Sequence, residues 1–232
     1  MKFLTIKLIK NNKALSLFSV FFTLLFISLG FWQIERAESK ALKMKAFNEM
    51  QKSPPIALKN ISAAWSRVFV EGFYDSSRQV LIDNQINDGQ VGYKIYTPFY
   101  FDDKAIFVDR GWIPRGKTRS ELPDIDFQSD RLRIVGSLLK PEKEVLAGDD
   151  IFTKNWPIVS QTKLPNIIET KFNKDFSDSV IVLEPGSNFL KEYIPLQPFV
   201  ISPTKHYGYA LQWFTMSMVL FSMFIYAINK EQ

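Results

Sequence analysis

The sequence predicts a membrane protein in which two transmembrane α-helices flank an extracytoplasmic, mainly antiparallel β domain of the barrel-like, α+β type. Two uncharged runs, residues 14–34 and 207–228, are each just over 20 residues long. At a rise of about 1.5 Å per residue, each run can span a hydrocarbon core of about 30 Å. Between the runs, short alternating stretches separated by glycine, proline, asparagine and aspartate are typical of antiparallel strands.

The N-terminal residues 1–13 form a basic arm, in which four lysines and no acidic residue give a charge of +4. Because basic residues beside a membrane helix stay on the cytoplasmic side, the arm is predicted to be cytoplasmic. Residues 14–34 are then the first transmembrane helix. Ser28-Leu29-Gly30 loosely fits a signal-peptide cleavage site. The run is longer than the core of a signal peptide, however, and we expect an uncleaved helix.

A helical extension and a linker are predicted for residues 35–64. Glu35 to Lys52 contains many charges and no glycine or proline, and Pro54-Pro55 follows at once. Proline lacks the amide hydrogen that a helix interior needs, so the helix should end before this pair. At the other end of the chain, residues 206–228 are predicted to be the second transmembrane helix and residues 229–232 a cytoplasmic tail.

Residues 65–205 are predicted to form the periplasmic β-rich domain. Alternation and turn residues place strands around Val68, Val70 and Phe73 and over residues 80–82, 93–100, 105–109, 132–139 and 179–183. Hairpin turns are expected at Asn87-Asp88-Gly89 and Asp102-Asp103, and a single helix over Leu164 to Phe172. A strand-end glycine such as Gly111 is most simply read as a turn.

Composition excludes several classes of function. The chain has no cysteine and one histidine, His206, so disulfides, zinc-thiolate sites, iron–sulfur clusters and sites with several imidazoles are excluded. The net charge of +5 arises mostly in the N-terminal arm, since residues 35–206 carry 24 basic and 23 acidic side chains. That distribution favours contact with a lipid bilayer and speaks against nucleic-acid binding.

The outer ends of the two predicted helices bring together a candidate site. Because the helices run in opposite directions, the end of the first and the start of the second lie at the same depth. His206, Tyr209, Ala210 and Trp213 share one helix face by their spacing. An imidazole, aromatic walls and a nearby cation from Arg36 or Lys205 would suit a planar, apolar, anionic ring system that holds a metal. The candidate residues are His206, Tyr209, Trp213, Arg36, Gln33 and Trp32.

Other interpretations of these residues remain open. Histidine, tyrosine and tryptophan are common at membrane interfaces because they are amphipathic, and Arg36 and Lys40 could be interfacial anchors. Met216, Met218 and Met223 could form a copper site with His206, although packing or lipid-facing roles suit methionine better. Asp83 and Asp109 could be a carboxylate pair or could serve at strand ends. No nucleophile, base and acid assemble into a catalytic set, so we expect that the protein is not an enzyme.

A known family carries similar motifs in the same order. Leu29-Gly30-Phe31-Trp32-Gln33-Ile34-Glu35-Arg36 resembles the membrane-exit motif of the surfeit locus protein 1 family of cytochrome c oxidase assembly factors. Val108-Asp109-Arg110-Gly111-Trp112-Ile113-Pro114 is similar to its internal motif, and His206, Tyr209, Ala210, Trp213 and Phe214 match the start of its second helix. The chain departs from the family pattern at Asp109, Tyr207, Gln212 and the Thr204-Lys205 pair.

The resemblance implies a bacterial inner-membrane protein that assists the maturation of the core subunit of a haem-copper oxidase of the respiratory chain. It implies haem a as the cofactor and His206 as the ligand of the haem iron. The expected partners are that core subunit and other oxidase assembly factors. The alternative is a scaffold or chaperone that holds the nascent subunit without binding a cofactor.

Overall fold

The computed structural model describes residues 13–58, 63–118, 121–142, 155–172, 174–199 and 201–230. The predicted arm, apart from Lys13, lies outside the described residues, as does the end of the predicted tail. The chain divides into a helical unit, built from residues up to 46 and from 197 onward, and a β unit of residues 47–196. The α-helices are α1 (Lys13–Lys52), α2 (Pro165–Ile168) and α3 (Pro203–Lys230).

Both long helices confirm the predicted elements. Helix α1 has 40 residues and runs without interruption from the apolar stretch through the charged extension, ending just before Pro54-Pro55 as expected. Helix α3 has 28 residues. By length and composition, α1 and α3 are able to cross a membrane.

The two helices of the helical unit pack through a seam in which covered residues recur at steps of three and four. In α1 the buried or half-buried positions include Ser19, Thr23, Phe26, Gly30, Gln33 and Ala37, and in α3 they include His206, Ala210, Trp213 and Ser217. This spacing is that of the a and d positions of a heptad, so a continuous line of side chains faces the other helix. Serine, glycine and alanine in the seam let two membrane helices approach closely.

In the part of the β unit that the structure describes, eight strands form one mixed sheet. They are β1 (Ile56–Ala57), β2 (Arg67–Tyr74), β3 (Val80–Asn87), β4 (Gln90–Phe101), β5 (Lys104–Pro114), β6 (Leu132–Leu139), β7 (Ile158–Ser160) and β8 (Phe176–Leu183). Their order is β1-β2-β6-β8-β5-β4-β3-β7, and β2 also pairs with β4. That extra pairing joins β2, β6, β8, β5 and β4 into a closed ring, which confirms the barrel-like prediction.

Most strand pairings are antiparallel, as predicted, but β1–β2, β3–β7 and β5–β8 are parallel. The predicted strands are all present, while the short β1 and β7 were not foreseen and β8 begins at Phe176, three residues before the predicted 179. The predicted helix over 164–172 is divided, because α2 has four residues and a 3-10 turn, Glu169–Lys171, follows it.

The interior of the ring is one of the hydrophobic cores of the β unit. Its buried side chains come from all five strands of the ring and include Val68, Val70, Tyr74, Phe99, Ile106, Val108, Ile134, Leu138, Ile181 and Leu183. The last turns of α1 belong to this unit. There Phe47 packs edge-on against Trp65, with ring centroids 5.9 Å apart, and the Gln51 amide nitrogen donates a hydrogen bond to the Trp65 carbonyl at 2.9 Å.

Strand β5 contains a bulge, and the simple turn expected at Gly111 is wrong. Gly111 lies inside the strand with a φ of +89°, where the register against β4 shifts between Lys94 and Tyr96. A glycine with positive φ lets one strand carry an extra residue while the partner strand continues. A Cβ at this position would lie 2.5 Å from the Glu192 carbonyl oxygen, so no other residue fits without backbone movement.

Candidate functional site

The candidate site lies in the first turn of α3, within the helical unit. Pro203 begins the helix at a position where no amide hydrogen is required, and His206 follows one turn later. The Nδ1 atom of His206 lies 2.7 Å from Oε1 of Gln33 in α1. The amide oxygen can only accept a hydrogen bond, so Nδ1 of the ring donates it. The structure therefore joins two of the predicted site residues directly.

The second ring nitrogen of His206, Nε2, differs from Nδ1 in its hydrogen bonding. Within the described part of the chain, Nε2 is buried and has no hydrogen-bond partner. A neutral imidazole that carries its proton on Nδ1 has a lone pair on Nε2. Leaving a buried acceptor without a partner costs roughly 1–3 kcal/mol, and such an atom is a candidate ligand for a metal.

Interhelical contacts below the histidine fix how α1 and α3 meet. A Cβ added to Gly30 would lie 2.5 Å from Cε1 of Phe214, so the absence of a side chain makes room for that ring. The Phe26 and Trp213 ring centroids are 5.6 Å apart. Further along, Oγ of Ser217 donates to the Thr23 carbonyl at 3.3 Å. These contacts set the register that places His206 opposite Gln33.

Two cations of α1 lie within one to two turns of Gln33. The Arg36 guanidinium sits 5.6 Å from the centroid of the Trp32 ring, and Nζ of Lys40 donates to the Ile201 carbonyl at 3.0 Å. Lys40 also lies 5.4 Å from the centroid of the Phe199 ring. Because an aromatic ring and a backbone carbonyl carry no net charge, they hold these cations without neutralising them. The two cations can therefore still attract a carboxylate or phosphate group.

The remaining predicted site residues are more dispersed. Trp213 packs on Phe26, seven residues and about 10 Å along the helix axis from His206. Tyr209 and Trp32 are each 47% exposed. The structure thus pairs His206 with Gln33 and Arg36 with Trp32, and it leaves Tyr209 and Trp213 outside those pairs. The roles of all six residues in binding stay predictions.

Two residues near the site were not foreseen as part of it. The sequence favours an interfacial anchor at Lys40 and does not place it in the candidate set, and it gives no role to Phe26. Both occupy the seam of α1, at steps of three and four from Gly30, Gln33 and Ala37. The heptad pattern was therefore the signal that could have identified them.

In the β unit, Arg110 is a buried cation whose hydrogen-bond partners among the described residues include no carboxylate. Its side chain is 1% exposed. It donates to Oγ1 of Thr97 at 2.8 Å, to the carbonyls of Phe189 and Ile125 at 2.9 and 3.1 Å, and to Oε1 of Gln79. Among the described residues, none of these partners is a carboxylate. Burial lowers the pKa of Arg110 to about 10, partly offset by Tyr74.

Aromatic rings enclose the same region. The Arg110 guanidinium lies 4.1 Å from the centroid of Phe127, and the Tyr74 ring packs edge-on against Phe99, Phe127 and Phe189. Burial raises the pKa of the Tyr74 hydroxyl, an effect that the charge of Arg110 opposes. Hydrogen bonds from Arg110 thus connect β4 and the segments around Ile125 and Phe189 to the bulge of β5. Its contacts indicate a structural role.

Among the alternative sites considered from the sequence, the geometry describes Asp109 and the methionines, and the pairing of Asp83 with Asp109 stays a prediction. The Asp109 carboxylate accepts a hydrogen bond from the Lys94 ammonium at 2.7 Å through Oδ2 and one from the Gly111 amide at 3.0 Å through Oδ1. These contacts give Asp109 a structural role at the bulge. Met216, Met218 and Met223 are 45%, 71% and 65% exposed. The described residues contain no cluster of three or more histidine, cysteine or acidic side chains able to hold a metal ion.

Comparison with known proteins identifies the family. The model of the SURF1 family matches residues 20–218. The chain belongs to the SURF1 family. SURF1-like proteins of Rickettsia felis and Rickettsia conorii are 27% and 28% identical to it, over 88% and 93% of this chain and 92% and 91% of their own lengths. A yeast protein named cytochrome oxidase assembly protein SHY1, from Saccharomyces cerevisiae, is 25% identical over 50% of this chain and 33% of its own.

The SURF1 match confirms the resemblance inferred from the motifs. It covers most of α1, the whole β unit and the first half of α3. Gln33, Arg36, the Val108–Pro114 motif and His206 all lie inside it. Membership in the SURF1 family, together with the two apolar helices, indicates that the protein resides in a membrane.

Proposed function

We propose that this protein is a non-catalytic assembly factor for a haem-copper oxidase of the cytochrome c type, and that it binds haem a through His206 while the core subunit matures. Support for assembly comes from membership in the SURF1 family and from the name of the yeast relative. The observation that carries the haem proposal is the buried, unpartnered Nε2 atom of His206.

The residues at the mouth of the helix pair fit such a group. A histidine that ligates a metal through one ring nitrogen almost always donates from the other to a fixed acceptor, and Gln33 is such an acceptor. The carboxylates of a haem would meet cations in Arg36, Lys40 and Lys205. Haem a is the cargo here, and its redox chemistry belongs to the oxidase that receives it.

The site is proposed to lie at the outer face of a membrane. The proposed location is the inner membrane of a bacterium, with both termini in the cytoplasm and the β unit in the periplasm. The four lysines of residues 1–13 support that orientation. The proposed partners are the oxidase core subunit and other assembly factors.

The His206→Ala variant is expected to lose the haem a spectrum. Detergent-purified protein would be titrated with haem a and followed by its absorption bands, and the apparent affinity should fall by at least about tenfold once the axial nitrogen is gone. Tyr207→Ala is the matched control, because Tyr207 is in the same helical turn and is exposed. An unchanged spectrum in His206→Ala would remove the histidine from the proposal.

A second measurement separates haem binding from a scaffold function. Oxidase purified from a strain lacking this protein should be short of haem a, and the wild-type gene should restore it while the His206→Ala gene should not. Full restoration by His206→Ala would favour the scaffold, since only the β unit and the membrane anchors would then be needed.

A further inference from the structure

The hydrogen bond between His206 and Gln33 joins the two helices across 173 residues of sequence. At 2.7 Å between Nδ1 and Oε1 it is short and well formed. Both side chains are half-buried in the seam, where the effective dielectric constant is lower than in water and a hydrogen bond is stronger.

The position of Gln33 is set by its neighbours and not by the imidazole alone. Gly30 lies one turn away in α1 and accepts the Phe214 ring against its backbone, and Ala37 on the other side is fully buried. A side chain between two such positions faces the other helix. The amide oxygen is therefore presented to α3 before any ligand binds.

We infer that Gln33 is a positioning residue, which holds His206 in the Nδ1–H tautomer and so keeps the Nε2 lone pair available to a metal. This inference rests on the proposed function of His206 and adds the reason why that nitrogen is ready to ligate. In water, neutral histidine favours the opposite tautomer, with the proton on Nε2. Without an acceptor at Nδ1, the ring must change tautomer or orientation before Nε2 can bind iron, which weakens binding.

The first test reads the tautomer without any haem. Because His206 is the only histidine, full-length protein labelled with ¹⁵N-histidine and purified through a histidine-free tag gives one pair of ring nitrogen signals. At a pH where the ring is neutral, the wild type should show protonated Nδ1 and unprotonated Nε2. Gln33→Leu should shift the signals toward a mixture or the Nε2–H form.

Matched variants make this comparison specific. Gln212→Leu removes a glutamine amide from an exposed position of α3 and should leave the ring signals unchanged. Gln33→Glu keeps an oxygen acceptor and should retain the Nδ1–H tautomer. Circular dichroism of each variant checks that the helices and the β unit remain folded.

The second test measures haem a affinity in the same proteins. Loss of a group that orients a metal ligand typically weakens metal binding by about 10- to 100-fold, and we expect Gln33→Leu to fall in that range. Gln33→Glu should bind as well as the wild type, and it should lower the midpoint potential of the bound haem because a carboxylate makes the imidazole a stronger donor.

The outcomes distinguish this inference from the proposed function. Wild-type ring signals or wild-type haem affinity in folded Gln33→Leu would overturn the positioning role, even if His206→Ala abolished haem binding. Unchanged haem binding in His206→Ala would instead defeat the proposed function. The tautomer would then still report whether Gln33 fixes the ring.

Discussion

Replacement of Gly111 by alanine is expected to lower the free energy of unfolding of the β unit by about 2–6 kcal/mol. Gly111 has a φ of +89°, which alanine adopts at a cost of roughly 1–3 kcal/mol. The added Cβ would also lie 2.5 Å from the Glu192 carbonyl oxygen. Forcing backbone apart in a packed region adds about another 1–3 kcal/mol. Urea unfolding of the full chain in detergent, followed by near-ultraviolet circular dichroism, measures the change.

Gly186→Ala separates the two contributions. Gly186 has a φ of +82°, close to that of Gly111, but nothing lies within 4 Å of the Cβ that an alanine would add. Its substitution should therefore cost only the conformational strain, about 1–3 kcal/mol. Equal losses of stability in Gly111→Ala and Gly186→Ala would show that the contact with Glu192 is unimportant.

Arg110→Met is expected to destabilise the β unit by about 3 kcal/mol or more. The guanidinium serves four acceptors, on Gln79, Thr97, Ile125 and Phe189. A buried acceptor that loses its donor costs roughly 1–3 kcal/mol, so several such losses outweigh the relief of no longer burying a charge. Arg110→Lys should also destabilise, because a single ammonium cannot reach acceptors that lie in several directions.

An exposed arginine provides the control for Arg110. Arg133 lies at the surface of β6, with its guanidinium 3.7 Å from the centroid of Phe69, and Arg133→Met should cost no more than about 1 kcal/mol. Unfolding midpoints of the two methionine variants, measured as for Gly111, give the comparison. Similar midpoints would mean that the buried network of Arg110 contributes little to stability.

The sequence predicted the helices and most strands because their signals are local. An uncharged run of just over 20 residues and a Pro54-Pro55 stop determine α1 without help from the rest of the chain. Strands β4 and β5, with 12 and 11 residues, are long apolar stretches bounded by turn residues and can be recognised from the sequence. Strands β1 and β7 have two and three residues, too few for a period to appear, and they exist only because β2 and β3 offer an edge.

Long-range pairing could not be predicted. The ring closes where β4 crosses β2, and it closes there because Gly72 has no side chain. A Cβ on Gly72 would lie 2.1 Å from the Tyr100 carbonyl oxygen. The alternation of buried and more exposed residues along β2 gives no sign of this close approach. The parallel pairing of β5 with β8 likewise depends on contacts between segments about 70 residues apart.

The candidate site was predictable in part because the signals of the two membrane helices are local. Opposed directions of two membrane helices place Gln33 and His206 at one depth, and the structure joins them. Helical spacing alone is too coarse to separate neighbours on one face. Ala210 is buried while Tyr209 is 47% exposed, because only one of the two adjacent positions can enter the seam.

The position of β8 determines when this protein can finish folding. Strand β8 is the last of the described strands in chain order, yet it lies between β5 and β6 in the middle of the sheet. Until residues 176–183 leave the ribosome, β5 and β6 each have an open edge. Closing such long loops is slow and exposes strands to wrong pairing. The β unit therefore cannot complete its ring during most of its own synthesis.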